Sequence, residues 1–244
     1  LQYLADFVYE KVFLHYTMKQ WGMKPDEVGG KAMARIPVYV STDDRYFQNP
    51  YQGVPAYGYT AMMEKMISKK NIVTLTGLDY QDVISLDEKA KKVLVNGQEF
   101  DGKVIFTACI DKLMDYKFGN LPYRSLKFEF TTLDKEEYQP VATVNYPCNY
   151  EFTRITEFKK LTMQKHPKTT IMKEFSTLYN PDDDRLDPLY PIPQKENEEL
   201  YDKYLNSVKQ YPQIVLAGRL ANYKYFTMAE TIRNALDIVK SELL

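Results

Sequence analysis

Three arginines stand in loop-like text where a guanidinium could be held still. Arg35 lies two residues before Pro37, Arg154 closes Phe152-Thr153-Arg154, and Arg219 follows Gly218 at a strand end. A fixed guanidinium fork suits a diphosphate, and each charge-assisted bond is worth about 1.5–3 kcal/mol. Trp21, Tyr16 and Tyr46 could stack a nucleobase, at about 1–3 kcal/mol per ring. Taken singly, an arginine is more often a surface ion-pair partner. The residue types alone therefore imply no more than a nucleotide-diphosphate ligand.

Other chemistries lack their residues. No GxSxG elbow, P-loop, HExxH or GxGxxG occurs, and the ten glycines are scattered. His15 has no evident Ser or Cys partner, so it reads as a structural histidine. Cys109 follows an apolar strand and reads as a buried, inert thiol. Asp182-Asp183-Asp184 reads as a solvated turn, with cation binding as the sharper alternative. Two cysteines and two histidines exclude a disulfide framework and a Cys/His zinc site. The 32 basic and 33 acidic side chains give a net charge of −1, which argues against a counterion-driven nucleic-acid binder. No window approaches the roughly 18 apolar residues of a membrane helix, so a cytoplasmic protein with reduced cysteines is expected. The oddity of composition is 21 Tyr beside 12 Phe and a single Trp. Tyrosine suits half-wet pockets, where the ring packs and the hydroxyl bonds, although most of these rings should cover sheet surfaces.

The elements that must position such residues follow from periodicity. Leu1, Leu4, Val8 and Val12 predict an opening helix, and Pro25-Asp26-Glu27 a second one. Arg35–Val40 predicts a turn into a strand, 43–58 an ordered loop, and Thr60 the cap of a helix carrying Met62, Met63, Met66 and Ile67. Strands are expected at Asn71–Leu75, Val83–Leu86 and Val93–Val95, the last leading into the hairpin signal Asn96-Gly97. Val104–Thr107 is a buried-type strand, and Asp111–Lys117 a short helix closed by Gly119. Tyr123–Thr131 alternates so as to bury Leu126, Phe128 and Phe130. Val141–Tyr146 and Thr170–Phe175 add strands, 180–193 is loop, and Glu196–Tyr211 is a polar helix. After the strand Ile214–Ala217, a helix over Thr227–Leu243 begins with a Thr227/Glu230 capping box and turns Ile232, Leu236 and Val239 inward. The fold class is α+β.

Longer stretches of text carry a likeness. In order they are Tyr16-Thr-Met-Lys-Gln-Trp21, Arg35-Ile-Pro-Val, Arg45-Tyr-Phe47, Tyr51-Gln-Gly-Val-Pro55 and Gly58-Tyr-Thr60. Asp115-Tyr-Lys-Phe-Gly119, Tyr123-Arg-Ser-Leu-Lys-Phe-Glu129, Val144-Asn-Tyr146 and Phe152-Thr-Arg-Ile155 continue the run. Tyr190-Pro191, Gly218-Arg-Leu220 and Tyr223-Lys-Tyr225 complete it. This text resembles the UDP-galactopyranose mutase family over essentially the whole chain. The resemblance implies an FAD-dependent isomerase, active in the reduced form, that interconverts UDP-galactopyranose and UDP-galactofuranose through a covalent adduct between flavin N5 and the sugar. Other readings are a non-catalytic or altered-specificity UDP-sugar-binding homologue and an amine-oxidase-like flavin oxidoreductase. The implied partner is the UDP-sugar, without nucleic acid or a membrane span, and the resemblance allows a homodimer.

Carried over by position, Arg35 and Arg154 correspond to the diphosphate-clamping arginines, and the flavin rather than a side chain is the catalyst they assist. Phe13, Tyr16, Thr17 and Trp21 correspond to a uridine pocket, with Trp21 on a mobile loop. Tyr46, Tyr190 and Tyr225 correspond to tyrosines that reach the phosphates, Asn145 to an asparagine near uridine and sugar, and Glu174 to a pocket glutamate. Arg219, Thr227 and Met228 correspond to the flavin contacts. Thr227 replaces a usual Asp, Ala221-Asn222 a Gly-containing pair, and Thr107-Ala108-Cys109 a Thr-Gly-Pro turn. The implied organisation is a helical uridine-binding domain over 1–70, a sheet-rich substrate domain over 71–213, and a strand and helix over 214–244 that return to a Rossmann-like FAD domain. By the same likeness the glycine-rich FAD-binding segment lies ahead of Leu1, and the chain alone is expected to be inactive.

Overall fold

Apolar residues spaced by three and four carry the chain into helix from its second residue. The computed structural model describes residues 1–28, 39–43 and 45–243. In chain order, α1 (Gln2–Val8), a π-helical turn (Tyr9–Leu14), α2 (His15–Trp21), α3 (Pro25–Val28) and α4 (Gly58–Ile67) come first. Then follow β1 (Ile84–Asp87), β2 (Lys92–Val95), β3 (Gln98–Glu99), β4 (Val104–Phe106), α5 (Ile110–Leu113), β5 (Tyr123–Leu133), β6 (Thr143–Asn145) and β7 (Arg154–Glu157). The chain continues with α6 (Phe158–Thr162), β8 (Thr169–Leu178), β9 (Tyr190–Pro191), α7 (Lys195–Val208), β10 (Ile214–Leu216), α8 (Gly218–Ala221) and α9 (Met228–Ile238). Helices with mostly antiparallel strands make the fold α+β. None of the described helices is long and apolar enough to cross a membrane.

The chain divides into two units, Leu1–Gly77 with Lys127–Ser176, and Leu78–Leu126 with Thr177–Leu244. In the first, α2 ends where Gly22 takes the left-handed conformation (φ 70°) and its N–H bonds to Met18 O at 2.9 Å. Its strands β6, β7 and β8 are antiparallel neighbours, with Asn145 opposite Arg154 and Arg154 opposite Glu174. In the second unit, β1, β2 and β3 form a meander around Asn96-Gly97, where both residues have positive φ (51° and 75°), as a tight hairpin turn demands. Strands β4 and β10 pair in parallel, Val104 opposite Ile214, and β9 pairs antiparallel with the start of β5, Tyr123 opposite Pro191. The core of this unit gathers Ile110, Met114, Leu121, Tyr123, Tyr204, Val208, Tyr211 and Tyr223. Four of the 21 tyrosines lie buried in this core, and Tyr179 and Tyr201 pack against it.

Several expectations are corrected. Asn71–Leu75 forms no strand: no described strand pairs with it, and Val73 and Leu75 are exposed. Thr60 is not a cap, because α4 already starts at Gly58, whose φ of 81° turns the chain into the helix. β5 does not alternate: Tyr123 to Leu126 are all buried, whereas Phe128 and Phe130 are exposed, and the Phe130 ring instead stacks on Phe158 with centroids 6.1 Å apart. The loop 180–193 contains the short strand β9. Ile232, Leu236 and Val239 face outward, the first two 57% exposed, because no described element lies over that stripe of α9. The predicted strand over Arg35–Val40 lies outside the described residues up to 38, and Tyr39 and Val40 are not in a strand.

Candidate functional site

Strand register builds the first cluster. Residues directly opposite on neighbouring strands share a face, so Asn145, Arg154 and Glu174 form one polar row across β6, β7 and β8. The Arg154 Nε lies 3.2 Å from Glu174 Oε1, and Glu174 is buried. Thr153, fully buried, donates its hydroxyl to Glu174 O at 3.0 Å and to Glu174 Oε1 at 3.2 Å. Helix α2 approaches the same row. Arg154 Nη2 donates to Tyr16 Oη at 2.5 Å, and Ser176 Oγ donates to Gln20 O at 2.7 Å. A guanidinium held by a carboxylate on one edge and a phenol on the other is a fork with a fixed orientation, which is what bidentate anion recognition needs.

Of the residues expected in this region, Tyr16, Asn145, Arg154 and Glu174 are thus brought together. Thr17 and Trp21 lie buried on the same helix, and Phe13 is half-buried in the turn before it. Trp21 is the last residue of α2, 7% exposed, rather than on a loop. Tyr46 is exposed, edge-on to Phe47 with centroids 4.6 Å apart. Arg35 lies outside the described residues. Thr153 and Ser176 were not anticipated, because both act through hydrogen bonds to backbone, which leave no spacing in a sequence.

The second unit carries its own cluster. Tyr190 and Tyr225 are stacked, with centroids 5.9 Å apart at 18°, and the Arg219 guanidinium lies 5.1 and 4.8 Å from the two rings. Its Nη1 donates to Leu189 O at 3.0 Å and its Nη2 to Phe226 O at 2.7 Å. Arg219 therefore braces the two tyrosines through cation–π contact, worth about 0.5–1 kcal/mol each where exposed. At the start of α9 the expected capping box is present. Thr227 N and Oγ1 donate to Glu230 Oε2 at 2.7 and 2.8 Å, and Glu230 N donates to Thr227 Oγ1 at 3.3 Å. The expected flavin contacts Arg219 and Thr227-Met228 lie close together, since Arg219 donates to Phe226 O. Met228 is exposed at this helix start, where the Thr227 hydroxyl already accepts from the Glu230 N–H. Arg219, in contrast, is engaged by carbonyls, so it acts there through the rings it holds.

A cleft of 580 Å³ in the second unit, lined by Asp79, Tyr80, Cys109, Lys112, Tyr123 and Tyr179 among others, includes none of the expected site residues. Burial pushes the Cys109 thiol up to about 12 and raises Tyr80 and Tyr123 well above the usual phenol range. These groups stay protonated at neutral pH, and Cys109 is inert as the sequence suggested. Asp111 accepts from Leu121 N at 2.8 Å and Lys112 N at 3.0 Å. Asp183 is paired with Arg185 at 2.7 Å, and among the described residues no group of three metal-ligating side chains forms.

Comparison with known proteins places the chain in a family. The chain matches the family described as UDP-galactopyranose mutase over residues 11–225. It is 34% identical over 239 residues to a probable UDP-galactopyranose mutase of Klebsiella pneumoniae, covering 97% of this chain and 58% of that protein. It is 31% identical over 240 residues to a dTDP-fucopyranose mutase of Escherichia coli, covering 97% of this chain and 61% of the relative. A crystal structure of reduced UDP-galactopyranose mutase superimposes with a TM-score of 0.62 at 15% identity, covering 89% of this chain and 61% of the other, and so shares the fold. The chain spans about 60% of the length of these curated relatives. It belongs to the UDP-galactopyranose mutase family.

Proposed function

We propose that the protein interconverts UDP-galactopyranose and UDP-galactofuranose, with FAD as its cofactor. The observation that carries this reading is the row Asn145–Arg154–Glu174 with Tyr16 against it, within a chain of this family. A reduced flavin, when bound, supplies the nucleophile for the anomeric carbon. The chain's own residues then serve the leaving group. Departure of UDP builds negative charge on the β-phosphate, and cationic donors already oriented toward it lower the barrier because they need no reorganisation. Arg154 is that donor, and its Glu174 partner (Nε to Oε1, 3.2 Å) keeps the guanidinium from swinging to solvent. Arg35 is the second clamp, Tyr46, Tyr190 and Tyr225 donate hydroxyls to the phosphates, and Phe13, Thr17 and Trp21 shape the base pocket with Asn145. Arg219, Thr227 and Met228 serve the flavin side.

The test is conversion of UDP-galactofuranose by the intact, reduced protein, followed by chromatography; no conversion with FAD bound and reduced overturns the reading. A second reading is favoured by one specific likeness, the 31% identity to a dTDP-fucopyranose mutase, and makes the substrate a dTDP-deoxysugar. Parallel calorimetric titrations of UDP and dTDP separate the two: tighter UDP binding supports the first, tighter dTDP binding the second.

A further inference from the structure

We infer that Lys19 is a positioning residue of the nucleotide-sugar site, fixing Asn145 and Arg154 by clamping the loop that joins them. The inference rests on the UDP-sugar reading above. Lys19 and Tyr16 are three residues apart on α2 and so share a face of the helix. Tyr16 takes the hydrogen bond from Arg154, while the Lys19 ammonium donates to Tyr146 O, to Tyr150 O at 2.9 Å and to Phe152 O at 3.1 Å. An ammonium carries three donors, and here three loop carbonyls converge on it. Those carbonyls belong to the connection between β6, which ends at Asn145, and β7, which begins at Arg154. The base of the connection is closed by Tyr146 N donating to Thr153 O at 2.8 Å. Its outer part is filled by the rings of Tyr146, Tyr150 and Phe152, with centroids 4.9–5.4 Å apart. Both ends of the clamped segment are therefore expected ligand contacts. Without the ammonium, the three carbonyls turn to water and the loop loses its link to the helix that carries Tyr16.

In the intact protein, Lys19→Met should speed amide hydrogen exchange across residues 146–153 at least tenfold and weaken UDP, read by titration calorimetry, at least tenfold. Lys19→Arg still offers donors to carbonyls and should recover most of both. Ser176→Ala removes a different tether of the same helix, at Gln20 O, and should leave exchange in 146–153 unchanged, which separates the clamp from general loosening of the unit. If Lys19→Met fails to fold, Lys19→Leu, which likewise offers no donor, carries the same comparison. Wild-type exchange rates in the loop, or wild-type UDP affinity, in the Lys19 variant overturn the inference. A wild-type protein that takes up no UDP overturns the substrate reading instead, and the exchange rates then decide the clamp by themselves.

Discussion

Replacing Glu157 with Gln should unlock the far end of β7, the strand that starts at Arg154. Glu157 is fully buried. Its Oε1 accepts from Tyr138 N at 3.0 Å and Thr169 Oγ1 at 2.6 Å, and its Oε2 accepts from Gln139 N at 3.0 Å. A glutamine can keep its oxygen toward Tyr138 and Thr169, but its NH2 then faces the Gln139 N–H, donor against donor. The two surviving bonds lose their charge assistance, about 1 kcal/mol each, and the orphaned amide costs about 1–3 kcal/mol. Cheaper burial of a neutral side chain offsets part of this, leaving a net loss of about 2–4 kcal/mol. Urea denaturation of the intact protein measures the total, and hydrogen exchange at Tyr138 and Gln139 locates it. A loss under about 1 kcal/mol, with those two amides exchanging at wild-type rates, refutes the accounting. The pH dependence gives an independent check. Burial pushes the Glu157 carboxyl up, but the Thr169 hydroxyl and the Gln139 and Tyr138 amides outweigh it and hold the group below its ordinary value of 4.5. A carboxyl lowered on folding stabilises the native state above its unfolded pKa and loses that contribution as pH falls through the folded value. Wild type should therefore lose stability below about pH 4.5 more steeply than Glu157→Gln.

Arg154→Ala should weaken UDP roughly 10²- to 10⁴-fold, the equivalent of two charge-assisted bonds, while Arg154→Lys recovers only part because an ammonium has no fork; calorimetry decides, and unchanged affinity removes Arg154 from the site. Trp21→Ala should cost about 3–5 kcal/mol of stability as well as UDP affinity, since the ring is buried, so Trp21→Phe is the variant in which binding alone is read by titration. Thr227→Asp should destabilise α9 by about 1 kcal/mol through repulsion with Glu230, and adding Glu230→Gln should recover it, as followed by exchange along the helix.

Much of the fold was legible where local physics decides. The Asn96-Gly97 hairpin, the capping box at Thr227 and the strand Val104–Phe106 each follow from backbone conformation, a cap or a short apolar run, although Ile105 of that strand is exposed rather than buried. What failed depended on partners that a sequence does not display. Asn71–Leu75 has strand-forming residues and no described strand beside it, and Phe130 found Phe158 instead of a core. The candidate site divides the same way. Side chains that bond side chains, such as Arg154 with Glu174 and Tyr16, could be named from residue type and likeness. Lys19, Thr153, Ser176 and Glu157 escaped, because their partners include backbone atoms brought near by the register of β6, β7 and β8.

Local geometry at the start of α9 changes what the substitution at Thr227 means. The likeness expects an aspartate there, so a threonine suggested that a negative charge had been deleted next to a phosphate-binding tyrosine. At this helix start the charge comes from Glu230, whose carboxylate lies 2.7 Å from Thr227 N and 2.8 Å from its hydroxyl. A hydroxyl can donate to that carboxylate and accept from the Glu230 N–H at once, whereas an aspartate can only accept and would face a second anion. Threonine is thus the residue that lets Glu230 fold back over the helix start. The positive end of α9 is met by a carboxylate from within its own first turn, and a flavin edge approaching Met228 would meet a helix end whose field is already partly neutralised. Any tuning of the cofactor by this helix would therefore be set by Thr227 and Glu230 together, so the threonine alone is no sign of a dead enzyme.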